Sequence, residues 1–274
     1  MAGANPRGSG GIEMNTEFAD KIVIVTGGAG GLGKAFSLEF ARRGAAVICA
    51  DIDPIAGQVI IEAAASFPGR IHFVQGDMSE PSSCDRIAQA AGRLGGVDVL
   101  CNNVGIQPAT SHVPAHELAD EIWDAILTVN LKSYFWMVKR CVPLMKARHG
   151  GVIINTASVQ GLQSQKGAAA YAASKGGVIA LTKQLALEYA EDNIRVLAIA
   201  PGTFDTQLLR DVAKGIEDKT YMQRLRSAYP MKRFGAPEEL AHVVAFLASS
   251  GASFMTGECV TVDGGIMAQG GWAP

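Results

Sequence analysis

Tyr171 and Lys175 stand four residues apart in the run YAASK, and Ser158 lies thirteen residues upstream of the tyrosine. On a helix, positions i and i+4 leave the same face one turn apart. A free phenol titrates near ~10 and is a weak base at neutral pH. A cation held beside it favours the phenolate and lowers its pKa by about 1–3 units. Such a pair is a general acid/base able to exchange a proton with a hydroxyl or carbonyl oxygen. Alone, the pattern also describes any helix with a polar face, so its meaning depends on what surrounds it.

A second group lies near the start of the chain. Thr26 is followed by GGAGGLG, ending at Gly33. Two glycine patterns fit this run: Gly28, Gly30 and Gly33, or Gly27, Gly31 and Gly33. In either, missing Cβ atoms let the backbone, Leu32 included, approach a pyrophosphate, and the helix start beyond offers free N–H groups and positive dipole charge. Asp51 falls eighteen residues after Gly33, at the end of the next apolar run. There a carboxylate accepts hydrogen bonds from adenosine ribose hydroxyls and repels a 2′-phosphate. The glycine run carries no basic residue, so NAD is expected over NADP. Without a nucleotide, Asp51 reads as a surface acid at a strand end. Asp77, followed by Met78, ends a third run. Its carboxylate is suited to an adenine amine or to capping the next helix, and both roles can hold together. Asn102 and Asn103 are expected to brace backbone, with Gly105 on the same crevice.

These groups need a scaffold that brings them to one edge. Strand patterns cover 21–26, 46–51, 71–75, 97–102, 152–156, 194–200 and 259–262. Helical spacing covers 31–43, 54–66, 81–94, 118–148, 168–191 and 237–249, with Pro143 expected to kink the longest. Several strands are near-continuous apolar runs, the mark of a parallel sheet covered on both faces. Right-handed crossovers then give a single-domain, Rossmann-type, doubly wound α/β fold of about seven strands over 16–274. Ligands of such sheets sit outside the carboxyl ends of the strands, where all the groups above are found. The more polar, irregular stretch 203–235 is a candidate lid. Residues 1–15 are Gly-rich and aperiodic, read as an unstructured arm or a remnant of expression, with no signal-peptide core.

Composition narrows the class. Apolar residues make up 48% of the 274 and charged residues 18%, with a net charge of −2. That leaves no electrostatic case for nucleic acid or a membrane surface. No apolar stretch approaches the ~20 residues of a membrane span. The five cysteines have no C-x-x-C spacing and read as reduced core thiols, which suits a cytoplasmic protein. His112 and His116 have the spacing of a metal pair, but Pro114 lies between them and no third ligand is near, so no metal is expected.

With these pieces placed, the chain closely resembles the classical short-chain dehydrogenase/reductase family over residues 20–265. The family glycine pattern matches Gly27, Gly31 and Gly33, and its Asn-Asn-Ala-Gly motif matches Asn102, Asn103, Val104 and Gly105. Its active-site Asn, Ser and Tyr-x-x-x-Lys match Asn130, Ser158, Tyr171 and Lys175. Its Pro-Gly-x-x-x-Thr matches Pro201, Gly202 and Thr206. Val104 replaces the usual Ala, and Phe204 stands where a small aliphatic is common. The resemblance implies that Tyr171 exchanges the proton, Ser158 holds the same substrate oxygen, and Lys175 lowers the Tyr171 pKa and binds nicotinamide ribose hydroxyls. Asn130 would hold a water linking Lys175 to solvent, and the Phe204 amide would meet the nicotinamide carboxamide. As isolated residues, Ser158 could cap a turn and Asn130 could bridge a helix distortion.

The substrate is less legible. Gln107, Pro108, Val159, Gln160, Gln163, Gln165, Phe204, Leu208, Leu209, Tyr221, Met222 and Leu225 are the expected walls of the cleft. Glutamines suit a polyol or sugar, and the apolar residues suit a ring or chain. The leading expectation is an NAD-dependent dehydrogenase of a secondary alcohol. A 3-oxoacyl thioester reductase is the alternative, and Asp51 speaks against its usual NADPH. A non-catalytic dinucleotide sensor would be expected to have lost Tyr171, Lys175 or Ser158. Family members are often tetramers through their two long helices. In 118–148 the apolar Ile126, Leu127, Tyr134, Phe135, Trp136, Met137 and Val138 suggest such an interface, or ordinary burial against the sheet. Trp272 is placed in a tail that would pack on a neighbouring subunit, as a dimer or tetramer.

Overall fold

The computed structural model describes residues 16–207, 209–210 and 220–270. The expectations for residues 1–15, Leu208 and Trp272 lie outside the described residues.

Seven strands form one sheet in the order β3-β2-β1-β4-β5-β6-β7, every neighbouring pair parallel. They are β1 (Ile22–Thr26), β2 (Ala46–Asp51), β3 (Arg70–Gln75), β4 (Val99–Asn102), β5 (Gly151–Thr156), β6 (Ile194–Pro201) and β7 (Cys259–Val262). The helices are α1 (Gly31–Arg42), α2 (Pro54–Ala63), α3 (Pro81–Leu94), α4 (Asp120–Leu127), α5 (Ser133–Ala147), α6 (Ala169–Tyr189), α7 (Tyr221–Ala228) and α8 (Pro237–Ala248). Strand order reverses between β1 and β4, which opens the crevice where ligands of such sheets bind.

The apolar runs are explained by two cores. Successive strand residues point to opposite faces. In β1, Val23 and Val25 join Phe36 and Phe40 of α1 and Val244 of α8. Ile22 and Ile24 join Ile87 of α3 and Met137 and Cys141 of α5 on the other face. A strand buried on both sides cannot alternate polar and apolar residues. All five cysteines are free, and four of them are buried. Burial raises the Cys49 thiol to about 12 and the Cys84 and Cys259 thiols to about 11.

One expected element is divided. The stretch 118–148 is not one helix kinked at Pro143: α4 and α5 are joined by a π-helical turn, Thr128–Lys132, and Pro143 lies inside α5. The distortion centres on Asn130, whose side chain closes back on the loop after β4. Its Oδ1 accepts from Ile106 N at 2.8 Å and its Nδ2 donates to Ile106 O at 3.0 Å. Wide turns of this kind cluster at functional sites.

Candidate active site

The glycine run forms the turn between β1 and α1, and the structure shows which of its glycines the turn requires. Gly27 and Gly31 both have positive φ, 61° and 49°. A Cβ on Gly33 would lie 2.0 Å from the Gly27 carbonyl oxygen. At Gly30, the residue before α1, an added Cβ meets nothing within 4 Å. So Gly27, Gly31 and Gly33 shape the turn, Gly28 is also held to a hydrogen because a Cβ there would lie 2.7 Å from the Val25 carbonyl oxygen, and Gly30 alone faces open space. The first N–H groups of α1 have no side-chain cap. That leaves a cradle of donors at the positive end of a helix dipole.

The surrounding strand ends brace this cradle. Asn103 Nδ2 donates to Thr26 O at 3.0 Å and Gly27 O at 3.3 Å. Thr26 Oγ1 accepts from Asn103 N and Val104 N. Asp51, at the end of β2, accepts from Ala29 N at 3.0 Å through Oδ2. Its carboxylate therefore lies beside the glycine turn. Asp77 accepts from Ser79 N at 2.8 Å and does not cap α3, whose start at Glu80 has no side-chain cap. The turn closes two residues short of the helix, which corrects the capping expectation. The Met78 side chain is buried in the core under β1 and β4.

A second set gathers where β5 meets α6. Ser158 follows β5 and accepts from Gln160 N at 3.1 Å, opening the 3-10 turn Val159–Gly161. That turn packs tightly on α6, since a Cβ on Gly161 would lie 2.7 Å from the Lys175 carbonyl carbon. The close approach brings Ser158 beside Tyr171, close enough for its hydroxyl to act on the phenol. Lys175, 2% exposed, donates through Nζ to Thr156 O at 2.7 Å. Asn130 joins the set through Ser174, its Nδ2 donating to Ser174 Oγ at 3.3 Å. A Cβ on Gly105 would reach within 3.5 Å of both Asn130 Oδ1 and Lys175 Nζ, so the β4 loop faces the same point. Ser158 thus does cap a turn and Asn130 does bridge a helix distortion, while both also stand at the cluster.

The electrostatics differ from the sequence expectation. Burial pushes the Tyr171 phenol up, and the Ser158 hydroxyl beside it pulls it down. Burial pulls the Lys175 ammonium down to about 7. An ammonium taken out of water has less charge to lend, so the lysine is not what opposes the rise at Tyr171 here.

The family model described as enoyl-(acyl carrier protein) reductase matches residues 27–267. The 3-oxoacyl-[acyl-carrier-protein] reductase FabG of Thermotoga maritima is 37% identical over 248 residues, 90% of this chain and 98% of that one. Cyclohexanol dehydrogenase of an Acinetobacter species is 34% identical, covering 92% of this chain and 96% of its own. This chain belongs to the classical short-chain dehydrogenase/reductase family. It is an oxidoreductase of the alcohol/ketone class, with an NAD(P)-binding fold. The crystal structure of L-sorbose reductase from Gluconobacter frateurii, complexed with NADPH and L-sorbose, superposes with a TM-score of 0.88 at 30% identity. It covers 93% of this chain and all of that one.

Other family positions fall less evenly. Thr206 stands over the glycine turn, 3.9 Å from where a Gly31 Cβ would be. The Phe204 ring is buried against Gly235 instead of lining the cleft, because Phe204 and Gly235 pair as a short parallel bridge. That bridge uses the N–H groups of Gly235 and Asp205 and leaves the Phe204 N–H out of it. Gln107 pairs with His112 at 3.1 Å, and Gln163 and Gln165 are exposed. His112 and His116 fall in separate short segments, and among the described residues no group of three or more metal-ligating side chains gathers. Gln160 is different: its Oε1 is buried with no hydrogen-bond partner, two residues from Ser158.

Two parts of the site escaped sequence reasoning. One is that Gln160, expected as a cleft wall, keeps a buried acceptor without a partner. The other is Tyr134, read as part of an apolar patch. With Ile126, Met137 and Val138 it is buried, and of that patch only Phe135 is exposed. The Tyr134 ring lies 5.6 Å from Lys175 Nζ. Its position four residues after Asn130 is the signal that places both on one helix face.

Proposed function

We propose that this protein is an NAD-dependent dehydrogenase of a secondary alcohol, cyclic or polyhydroxylated, working through Tyr171 as general acid/base. The observation that carries the reading is the meeting of Ser158, Tyr171, Lys175 and Asn130 at the sheet edge that also holds the glycine cradle. The residues present fit a dinucleotide. Gly27, Gly31 and Gly33 with the start of α1 suit the pyrophosphate, Asp51 the adenosine ribose, and Asp77 the adenine amine. Lys175 suits the second ribose, and Gly202, Phe204 N–H and Thr206 the carboxamide end. Bound there, the nicotinamide supplies hydride exchange at the substrate carbon.

The chain's own residues do the rest. Ser158 donates to the reacting oxygen and holds it against Tyr171. Tyr171 takes the hydroxyl proton in oxidation and returns it in reduction. Lys175 gives the phenolate its counter-charge when protonated. NAD is favoured by the Asp51 carboxylate beside a turn without basic residues. The unpartnered Gln160 Oε1 supports a substrate with a second hydroxyl, because a buried acceptor left unpaired is unfavourable. The exposed Trp123, Phe135 and Leu187 support homo-oligomer formation through α4, α5 and α6, and the expected lid over 203–235 lies partly outside the described residues.

A second reading, reduction of 3-oxoacyl thioesters, is favoured by the likeness to the Thermotoga maritima reductase. Absorbance at the reduced-coenzyme band separates the two, with cyclic alcohols and polyols assayed with NAD and NADP and a 3-oxoacyl thioester assayed with NADH and NADPH. Turnover of cyclic diols with NAD is expected. Turnover only of the thioester with NADPH would replace the first reading by the second.

A further inference from the structure

We propose that Tyr134 is a positioning residue for Lys175, its ring forming a second aromatic wall against which the ammonium is held. Lys175 Nζ lies 5.7 Å from the centroid of the Tyr171 ring and 5.6 Å from that of Tyr134. Both are within the range at which a cation is attracted to an aromatic ring. The ammonium needs such support. It is almost wholly buried, its hydrogen bond goes to a neutral carbonyl, and burial alone moves its titration. The groups around it are Tyr171 on α6, Tyr134 on α5, Asn130 in the π turn, Thr156 at the end of β5 and Gly105 after β4. Among the described residues no carboxylate contributes to its shift.

Tyr134 is itself fixed at both ends. It is fully buried, and its hydroxyl faces two carbonyls, Val104 O at 2.9 Å and Thr156 O at 3.3 Å. Burial holds its phenol well above the usual range, so it stays a neutral donor. Thr156 O is also the acceptor for Lys175 Nζ. The one side chain therefore ties the ends of β4 and β5 together under the lysine and presents its ring to it. The π turn Thr128–Lys132, which carries Asn130, runs directly into α5, and Tyr134 lies buried in the first turn of that helix. In a packed core an aliphatic side chain would fill the same space, but it would give the cation nothing.

The proposal rests on the reading of Lys175 above only for its effect on turnover; the contact can be tested without any substrate. The measurement is the titration of Lys175, followed by the 13Cε resonance in lysine-labelled protein and assigned through Lys175→Met. Three proteins are compared: wild type, Tyr134→Phe, and Tyr134→Leu. Tyr134→Phe keeps the ring and is expected to titrate close to wild type. Tyr134→Leu removes it and is expected to lower the lysine titration by about one pH unit. If Tyr134→Leu does not fold, a fluorinated phenylalanine at position 134 keeps the shape while weakening the ring's attraction, and it must lower the titration relative to Tyr134→Phe. Titration at the wild-type pH in the ring-deficient or fluorinated protein overturns the proposal. So does an equal shift in Tyr134→Phe, which would assign the effect to the hydroxyl. Failure of the alcohol screen with the titration shift intact would sink the substrate reading and leave this one standing.

Discussion

The crevice has two halves, and they are built in opposite ways. Around the glycine turn, Asn103 is satisfied by Thr26 O and Gly27 O and Asp51 by Ala29 N, while Asn102, expected to brace backbone, instead donates to the Asn155 side chain and leaves its Oδ1 unpaired. Around α6, polar groups are buried with too little to meet them. Lys175 has one carbonyl and two ring faces, and Gln160 Oε1 has no partner at all. The first arrangement adds to the stability of the fold. The second subtracts from it, since a charge or acceptor removed from water is unfavourable until something pairs with it. The difference separates a half that holds a ligand by shape from a half prepared to react with one.

The comparison breaks first at Tyr171. Tyr171→Phe is expected to lower kcat by about 10²–10⁴-fold, the usual contribution of a positioned acid/base. Coenzyme binding, followed by fluorescence titration, should stay near wild type, because the half that binds by shape is untouched. A variant with near-normal turnover would take Tyr171 out of the mechanism.

Lys175→Met tests whether the second half truly opposes folding. In the folded protein Lys175 titrates at about 7, below its ordinary 10.5. Between those values the unfolded chain holds the proton and the folded chain does not, so this group makes stability rise with pH across that window. Its penalty is fully present below about pH 7. The variant should therefore lose activity yet melt higher than wild type at about pH 6, with the gap closing as pH rises toward the ordinary lysine value. The Thr156 carbonyl left behind still has the Tyr134 hydroxyl within reach. Lower stability than wild type at acidic pH would show that Lys175 is a structural asset and erase the contrast.

The two halves were not equally legible in the sequence. The glycine turn, Asp51 and the strand ends follow from local patterns, because each is fixed by near neighbours in the chain and by strand periodicity. Which glycines shape the turn needed coordinates, since the positive φ of Gly27 and Gly31 and the open space at Gly30 are not written in the spacing. Ser158, Tyr171 and Lys175 were readable as types and spacing, but their charge states were not. Those depend on burial, which pushed the lysine down and left Ser158, not Lys175, easing the phenol. In the helix over 118–148 the sequence offered Asn130 only as a residue that could bridge a distortion, as nothing in that run forces a π turn. The distortion comes from Asn130 bonding Ile106 across the crevice, a contact between residues 24 apart. Tyr134 was hidden for the same reason, and Phe204 because its pairing with Gly235 is also long-range.

Asn103→Ala is the mirror of the lysine variant. It removes the donor to Thr26 O and Gly27 O, and the loss should be in stability, about 1–3 kcal/mol in chemical denaturation. With saturating coenzyme kcat should hold, while the KM for coenzyme rises as the turn loosens. A drop in kcat with unchanged stability would mean the two halves are not separable.

The smallest expected effect is also the most specific. Asp51→Asn keeps a side-chain oxygen able to accept from Ala29 N, so the turn should persist and only the charge is lost. A carboxylate facing a 2′-phosphate across water-exposed space opposes it by a few kcal/mol at most, so the ratio of kcat/KM for NAD over NADP should fall roughly tenfold to hundredfold. Most of that change should appear as a lower KM for NADP, because the repulsion acts on binding and not on the proton transfer at Tyr171. An unchanged ratio would mean that the charge at the end of β2 does not choose the coenzyme, and that the glycine-loop half selects by shape alone.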